Sequence, residues 1–359
     1  MRNALVAAFV VVCLAVIGGA MAVHSSAVDM WVFKTAVTHA LAGGDAKLSE
    51  ANELSVVMVG TGTPLPDTTR AGPSTLIAAG DHLYVVDTGI DCARNLLLWK
   101  VPLAKIDGVL ITHLHSDHIG GLAEIRLQTW VAGRKAPLKV YGPPGIERVV
   151  AGFNEAYALD DGYRIKHHGA AMLPPDAVAL VPVVITIPSA STTAPVLDQN
   201  GLKVTAVRVH HDPATPAYGY RFDFAGRSVT VSGDTIMDMD LAKAAQGSDV
   251  LVHEALQPQM VGIMHDAMIA NGRPRPAKIM HDIPGYHTSP VDAAKIANAA
   301  HVRLLVYTHM LPILPNWIAV RAFLSGVEEV RPTGVDVGYD GMIVRLPGHA
   351  DAIDKASLN

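Results

Sequence analysis

Cysteine is nearly absent from this chain: two of 359 residues, Cys13 and Cys92. Cys13 falls in an apolar N-terminal run, so a chain that loses that run keeps one thiol and has no intramolecular disulfide. Charged side chains are sparse, at 17%, while 50% of residues are hydrophobic. That balance suits a compact fold with a large core. An excess of positive charge is missing as well. With 28 Lys and Arg against 33 Asp and Glu the formal net charge is −5, and the chain as a whole has no counterion-release drive toward nucleic acid. Heptads, tandem repeats and low-complexity tracts are also absent.

Charge disappears altogether between Ala4 and Val23, behind a single positive residue, Arg2. Ala20-Met21-Ala22 has the small-x-small pattern of a cleavage site. Residues 1–22 are therefore expected to be a signal peptide that exports the chain to the periplasm or beyond. The competing reading is an uncleaved membrane anchor, since about 20 apolar residues just span a bilayer. No small residue precedes Cys13, which argues against lipidation. Residues 23–52 read as a linker with a short helix around Trp31 to Ala42, residues 53–348 as one large layered domain, and residues 349–359 as a C-terminal tail.

The densest chemistry lies in Thr112-His113-Leu114-His115-Ser116-Asp117-His118-Ile119-Gly120-Gly121-Leu122. It follows the apolar run from Asp107 to Ile111, which reads as a buried strand. In an extended segment His113 and His115 point the same way. Asp117 and His118 then fall where the chain turns into a helix, and Gly120-Gly121 lets that turn sit close to its neighbours. Three imidazoles and a carboxylate at this spacing suit zinc, iron or manganese. A first-row metal takes four to six ligands, so partners must come from elsewhere. Three strand-like runs offer them: Val204 to Val209 before His210-His211, Arg227 to Val231 before Ser232-Gly233-Asp234-Thr235, and Val302 to Tyr307 before Thr308-His309. Functional groups at strand ends are a common placement for chemistry.

This ordered set resembles the signature of the metallo-β-lactamase-fold hydrolases, and most closely their ribonuclease Z and arylsulfatase-like branch. Val59-Gly60-Thr61-Gly62-Thr63-Pro64 with Arg70-Ala71-Gly72-Pro73-Ser74 resembles that branch's opening strand and loop. His211-Asp212-Pro213, leading to Tyr218-Gly219-Tyr220-Arg221, resembles its third metal motif. Tyr286-His287-Thr288-Ser289 resembles its extra histidine motif, although ribonuclease Z usually reads His-Ser-Thr there. The resemblance runs from about Ser55 to Leu346. It implies an α/β fold, a four-layer αββα sandwich with the metals at one edge between the sheets.

The resemblance also implies roles. His113, His115 and His211 would hold one divalent ion, and Asp117, His118 and His309 a second, with Asp234 bridging. Zinc is the expected metal, with manganese or iron as alternatives. The pair would hold a bridging hydroxide as nucleophile, and Asp117 would orient it. His287 is the candidate proton donor to the leaving group, because histidine titrates in the useful range; packing is its alternative. Glu254 follows another strand-like run and is a candidate to orient His287, or else a helix cap. Asp87 reads either as support for a ligand histidine or as a turn former before Gly89. His210 faces away from His211 along a strand, and His167, His168, His265 and His281 fall outside the ordered pattern.

The substrate expected on these grounds is a small anionic ester, a phosphodiester or an aryl sulfate. Both are singly charged tetrahedral anions within reach of one two-metal site. Class B β-lactamases do not use a bridging Asp in the manner of Asp234, and lactone and acyl-ester relatives do not usually carry the His287 motif. Ribonuclease Z carries every motif and also a long basic arm for transfer RNA. Where that arm is sought, Gly145 to Gly201, only Arg148, Arg164 and Lys166 stand against six Asp or Glu. A nucleic-acid partner is therefore not expected; a ribonuclease Z-type endoribonuclease and a lactone or acyl-ester hydrolase stay as alternatives, and a non-catalytic metal-binding scaffold as a remote one. Met260, Met264 and Met268 form a helical stripe that is core, a homodimer contact or a substrate wall. Trp317, in the apolar loop after His309, is expected to wall the leaving-group pocket.

Overall fold

The computed structural model describes residues 25–358; the expected signal peptide or anchor, residues 1–22, lies outside them. The described residues fall into two units, one ending at Ala46 and one starting at Lys47. In the first, a helix spans Ser26–Leu41, where the Ser25 hydroxyl accepts a hydrogen bond from the Val28 N–H as N-cap. It starts earlier than the short helix expected near Trp31. No helix among the described residues is long and apolar enough to cross a membrane.

In the second unit the chain builds one sheet, then a facing one, then returns. The first sheet begins with β1 (Glu53–Gly60), β2 (Ser74–Ala79), β3 (His82–Val86), β4 (Ile106–Leu110), β5 (Leu138–Gly142) and β6 (Leu180–Val184). The second comprises β7 (Thr193–Gln199), β8 (Leu202–Val209), β9 (Ala217–Phe224), β10 (Arg227–Val231), β11 (Val250–Leu256), β12 (Leu304–Leu311) and β13 (Val335–Val337). Two last strands, β14 (Met342–Pro347) and β15 (Asp354–Ser357), rejoin the first sheet. The spatial orders are β15-β14-β1-β2-β3-β4-β5-β6 and β13-β12-β11-β10-β9-β8-β7. Each sheet pairs antiparallel toward one edge and parallel toward the other, where helices make the crossovers.

Period-two alternation decides which face meets which. Leu54, Val56, Met58, Tyr84 and Val86 from one sheet join Tyr220, Phe222, Val229, Val252 and Val306 from the other in a single buried cluster. The intervening residues face helices. Leu251, Leu305 and Tyr307 pack on Ala293, Ile296 and Ala297 of the helix Pro290–Ala299. On the first sheet the helices Cys92–Leu98 and Ile146–His168 lie against β1, β5 and β6. The layers are α, β, β, α, as the motifs implied. Strands covered on both faces read as unbroken apolar runs, which is why β10 and β11 are buried at every residue.

Two boundaries differ from the sequence reading. The segment taken as a tail from residue 349 contributes β15, antiparallel to β14, and buried Arg227 ties it down by donating to the carbonyls of Ala350 and Ala352. The strand expected to stop at Tyr307 continues to Leu311, through His309. Phe222 is fully buried between the sheets. Phe222→Ala is expected to cost about 3–5 kcal/mol of stability, seen as a lower urea midpoint at unchanged slope.

Candidate metal centre

The first four candidate ligands are held by what the chain does just after β4. The Thr112 N–H and hydroxyl both donate to Asp87, at 2.8 Å each, and Asp87 sits in the left-handed region at φ 58° to receive them. His115 stands at the N-cap of the one-turn helix Ser116–Ile119. Gly121 lies so close to the neighbouring loop that a Cβ would meet the Gly89 oxygen at 2.5 Å. His113 and His115 point together, with Nε2 of the first 2.9 Å from Nδ1 of the second.

Three other strand ends complete the cluster. His211, after β8, brings Nε2 to 3.2 Å from His115 Nδ1 and donates from Nδ1 to the Tyr286 carbonyl at 2.8 Å. Asp234, after β10, is reached through Gly233 at φ 63°, where a Cβ would meet the Tyr218 oxygen at 2.5 Å. His309 is the extra residue of a bulge in β12: Thr308 pairs with Glu254 and Met310 with Ala255. At φ 45° its side chain is turned inward to the site, with Nε2 3.2 Å from Asp117 Oδ2. The centre of the cluster is Asp234 Oδ2. It lies 3.9 Å from His113 Nε2, 3.3 Å from His118 Nε2, 3.8 Å from His211 Nε2 and 3.5 Å from His309 Nε2.

Burial opposes charge on every one of these groups, and their mutual field decides which keep it. Burial pushes the Asp234 carboxyl up, but His309, His118 and His113 hold it well below the ordinary carboxylate range. Burial, reinforced by the neighbouring His118, His211 and His115 and only partly offset by Asp234, drives His113 well below the ordinary imidazole value. For His118 burial is outweighed by Asp234 and Asp87, and it rises well above that value; His309 is raised to about 9 against burial by Asp234 and Asp117.

The donor set fits divalent ions. The triads His113, His115, His211; His113, His118, Asp234; and Asp117, His118, His309 each have ligand atoms within 4.8 Å of one another. Outward nitrogens are engaged: His118 Nδ1 lies 2.8 Å from Asp87 and His211 Nδ1 bonds Tyr286. That orientation leaves the Nε2 atoms converging, where a bound ion would take the place of the proton favoured on His118, and His118 Nε2 is buried with no hydrogen-bond partner. Bound ions would supply Lewis acidity that polarises an ester and activates water.

His287 and Glu254 sit beside this cluster. His287 Nδ1 is 3.2 Å from Glu254 Oε1 and 4.0 Å from Asp234 Oδ2. Glu254 Oε1 is itself fixed by the N–H groups of Thr235 and Thr288. His287 Nδ1 is buried and makes no hydrogen bond, so its 3.2 Å approach to Glu254 is a charge-pair distance. A pocket of about 240 Å³ opens here, lined on one side by His115, Asp117, Asp234, His287 and His309 and on the other by Leu65, Ile279, Met280, Ile283 and Leu311.

The structure corrects some expectations and adds residues the sequence did not flag. Trp317 does not line this pocket; it is 68% exposed on the helix Trp317–Phe323, beside Arg321, so it is no wall for a leaving group. The wall comes instead from Leu65 and from the helix Pro274–Asp282 with Ile283 behind it. Met264 and Met268 pack beneath that wall, against Met280, Ile283 and Leu311, and Met260 joins the core on the Ala293 side: the stripe is packing. Asp87 supports His118 rather than merely forming a turn. His210 is turned away to Asp238, and His265 lies beside Asp266. Thr112 and the Tyr286 carbonyl, which orient ligands, carry no sequence signal beyond adjacency to a histidine motif.

A sandwich of two sheets with buried imidazoles and carboxylates at one edge defines a metal-dependent hydrolase. Residues 67–271 match the metallo-beta-lactamase superfamily model. The chain is 36% identical over 286 residues to ribonuclease Z of Mycobacterium bovis, covering 77% of this chain and 95% of that one, and 35% identical to that of Mycobacterium avium over the same shares. Among solved structures, the human short-form tRNase Z aligns with a TM-score of 0.57 at 20% identity over 80% of this chain and 98% of that one. The metallo-beta-lactamase fold protein YhfI from Bacillus subtilis aligns at 0.57 and 17%, over 82% and 100%. The chain belongs to the metallo-beta-lactamase superfamily, within the branch that contains ribonuclease Z.

Asp234→Ala is expected to strip the protein of metal, measured by elemental analysis after dialysis, and to abolish any metal-dependent rise in Tm. Asp87→Ala should weaken metal affinity about 10–100-fold. Full metal retention in Asp234→Ala would show that the cluster is not organised around that carboxylate.

Proposed function

We propose that this protein is a metal-dependent phosphodiesterase of ribonuclease Z type. The observation that carries the reading is the pairing of the Asp234-centred cluster with the buried His287–Glu254 couple at one pocket. The relatives named ribonuclease Z, matched over 95% of their length, support RNA as the substrate class. They weaken the expectation against a nucleic-acid partner, which rested on net charge and on the missing arm.

In this reading His113, His115, Asp117, His118, His211, Asp234 and His309 would hold the divalent ions, with zinc the first metal to try. Asp117 orients the attacking water. His287 donates a proton to the departing oxygen, and the Glu254 carboxylate, 3.2 Å from Nδ1, holds the ring in place. Glu254 is thus a positioning residue.

One observation favours a second reading, hydrolysis of a small diester or aryl sulfate. Residues 145–201 are built into the fold rather than projecting from it. The Arg126 guanidinium holds Asp161 across two helices, 2.8 Å from Nη1 to Oδ1, and Asn154 bonds both backbone groups of Leu180. Export, or anchoring through residues 1–22, is retained as part of the proposal; a homodimer is not needed by the site.

Purified chain loaded with zinc or manganese is expected to cleave an oligoribonucleotide and bis(p-nitrophenyl) phosphate, and His287→Ala to lower kcat about 10²–10⁴-fold with metal content unchanged. Turnover of p-nitrophenyl sulfate but of neither diester would overturn the phosphodiesterase reading. A reporter fused after Val23 should appear outside the cytoplasm; retention inside would remove the export proposal.

A further inference from the structure

Between β11 and His287 the chain leaves the sandwich as two packed helices, Pro258–Ala270 and Pro274–Asp282. The second bounds the pocket through Ile279 and Met280. Its cations are distributed unevenly. Lys278 is neutralised by Asp282 at 2.5 Å, whereas the exposed guanidiniums of Arg273 and Arg275 make no ion pair or hydrogen bond among the described residues. Arg275 stands four residues before Ile279, on the same helix face and about 6 Å along the axis. An unpaired cation therefore sits one turn outside the mouth of a site built for an anion. The two acids of this hairpin, Asp266 and Asp282, face His265 and Lys278.

We infer that Arg273 and Arg275 hold a non-scissile phosphate of a polynucleotide substrate, with Ile279 as the apolar edge past which the strand enters the pocket. The inference rests on the phosphodiesterase reading and names what grips the strand where residues 145–201 supply no arm. A guanidinium fork matches phosphate geometry, and unpaired surface cations beside a groove are the electrostatic footprint of a nucleic-acid path. The acidic balance of the remaining chain limits that path to the hairpin side of the pocket.

The test is anisotropy binding of a fluorescein-labelled single-stranded oligoribonucleotide to metal-loaded protein across a salt series, for wild type, Arg273→Ala/Arg275→Ala and the control Lys166→Ala. The double variant is expected to bind about tenfold more weakly and to lose about 0.7 from the salt slope, with the control unchanged. Its kcat/KM for bis(p-nitrophenyl) phosphate, which has no second phosphate, should stay within about twofold of wild type while that for the oligoribonucleotide falls about tenfold. Equal losses on both substrates, unchanged RNA binding, or no RNA binding by wild type at low salt would each overturn the inference. RNA binding that depends on the arginines without cleavage of any diester would instead sink the phosphodiesterase reading and with it the substrate role inferred here, leaving the arginines a phosphate grip on a bound RNA.

Discussion

Asp234 Oδ2 has five imidazole nitrogens within 4.0 Å, and much of the surrounding structure serves to keep that carboxylate buried and charged. An isolated buried carboxylate would take up a proton. Here the imidazoles oppose that, and each ligand imidazole with a resolved partner on its far side is turned so that its ligand nitrogen faces inward. The supports come from distant parts of the chain: Asp87 behind His118, the Tyr286 carbonyl behind His211, the bulge that turns His309 inward. Losing Asp234 would leave several buried imidazoles facing one another with nothing between them.

The scaffold makes such a cluster tolerable. Left-handed backbone at Asp87 and His309 is strain that only a rigid surrounding holds in place, and those residues sit at the end and the bulge of strands in the packed sheets. Two sheets packed face to face supply the apolar burial that offsets desolvating so many polar groups. The same architecture puts every ligand-bearing strand end at one edge, so few backbone positions can move without moving a ligand.

The apolar side of the pocket is built by a different part of the molecule. The pocket is polar where it meets Asp234 and apolar where it meets the helix Pro274–Asp282, and that helix belongs to an excursion between two site residues, Glu254 and His287. The segment in which a gripping arm was sought is instead stitched to the scaffold through Asp161 and Asn154. On the proposed reading, contact with the substrate beyond the reacting ester would fall to the hairpin.

Much of this was legible in the residues alone. The spacing from His113 to His118 dictates a strand end and a turn, because period two and the glycine pair allow little else, and the other ligands announce themselves at the ends of apolar runs. The αββα class was implied by the resemblance of those ordered motifs to the metallo-β-lactamase-fold hydrolases. Other features had no local signature. Trp317 follows a ligand in sequence, but the strand through His309 runs on to Leu311 and carries it out to solvent. A methionine stripe reads the same whether it faces core or ligand. Asp87 resembles any aspartate before a turn until His118 is seen beside it. The sequence by itself determined which side chains offer donor atoms and in which order they come, since ligand chemistry is a property of side chains. Only the tertiary structure decided what stands behind each ligand and what walls the pocket, because those contacts join residues far apart in the chain, and packing rather than local propensity brings them together.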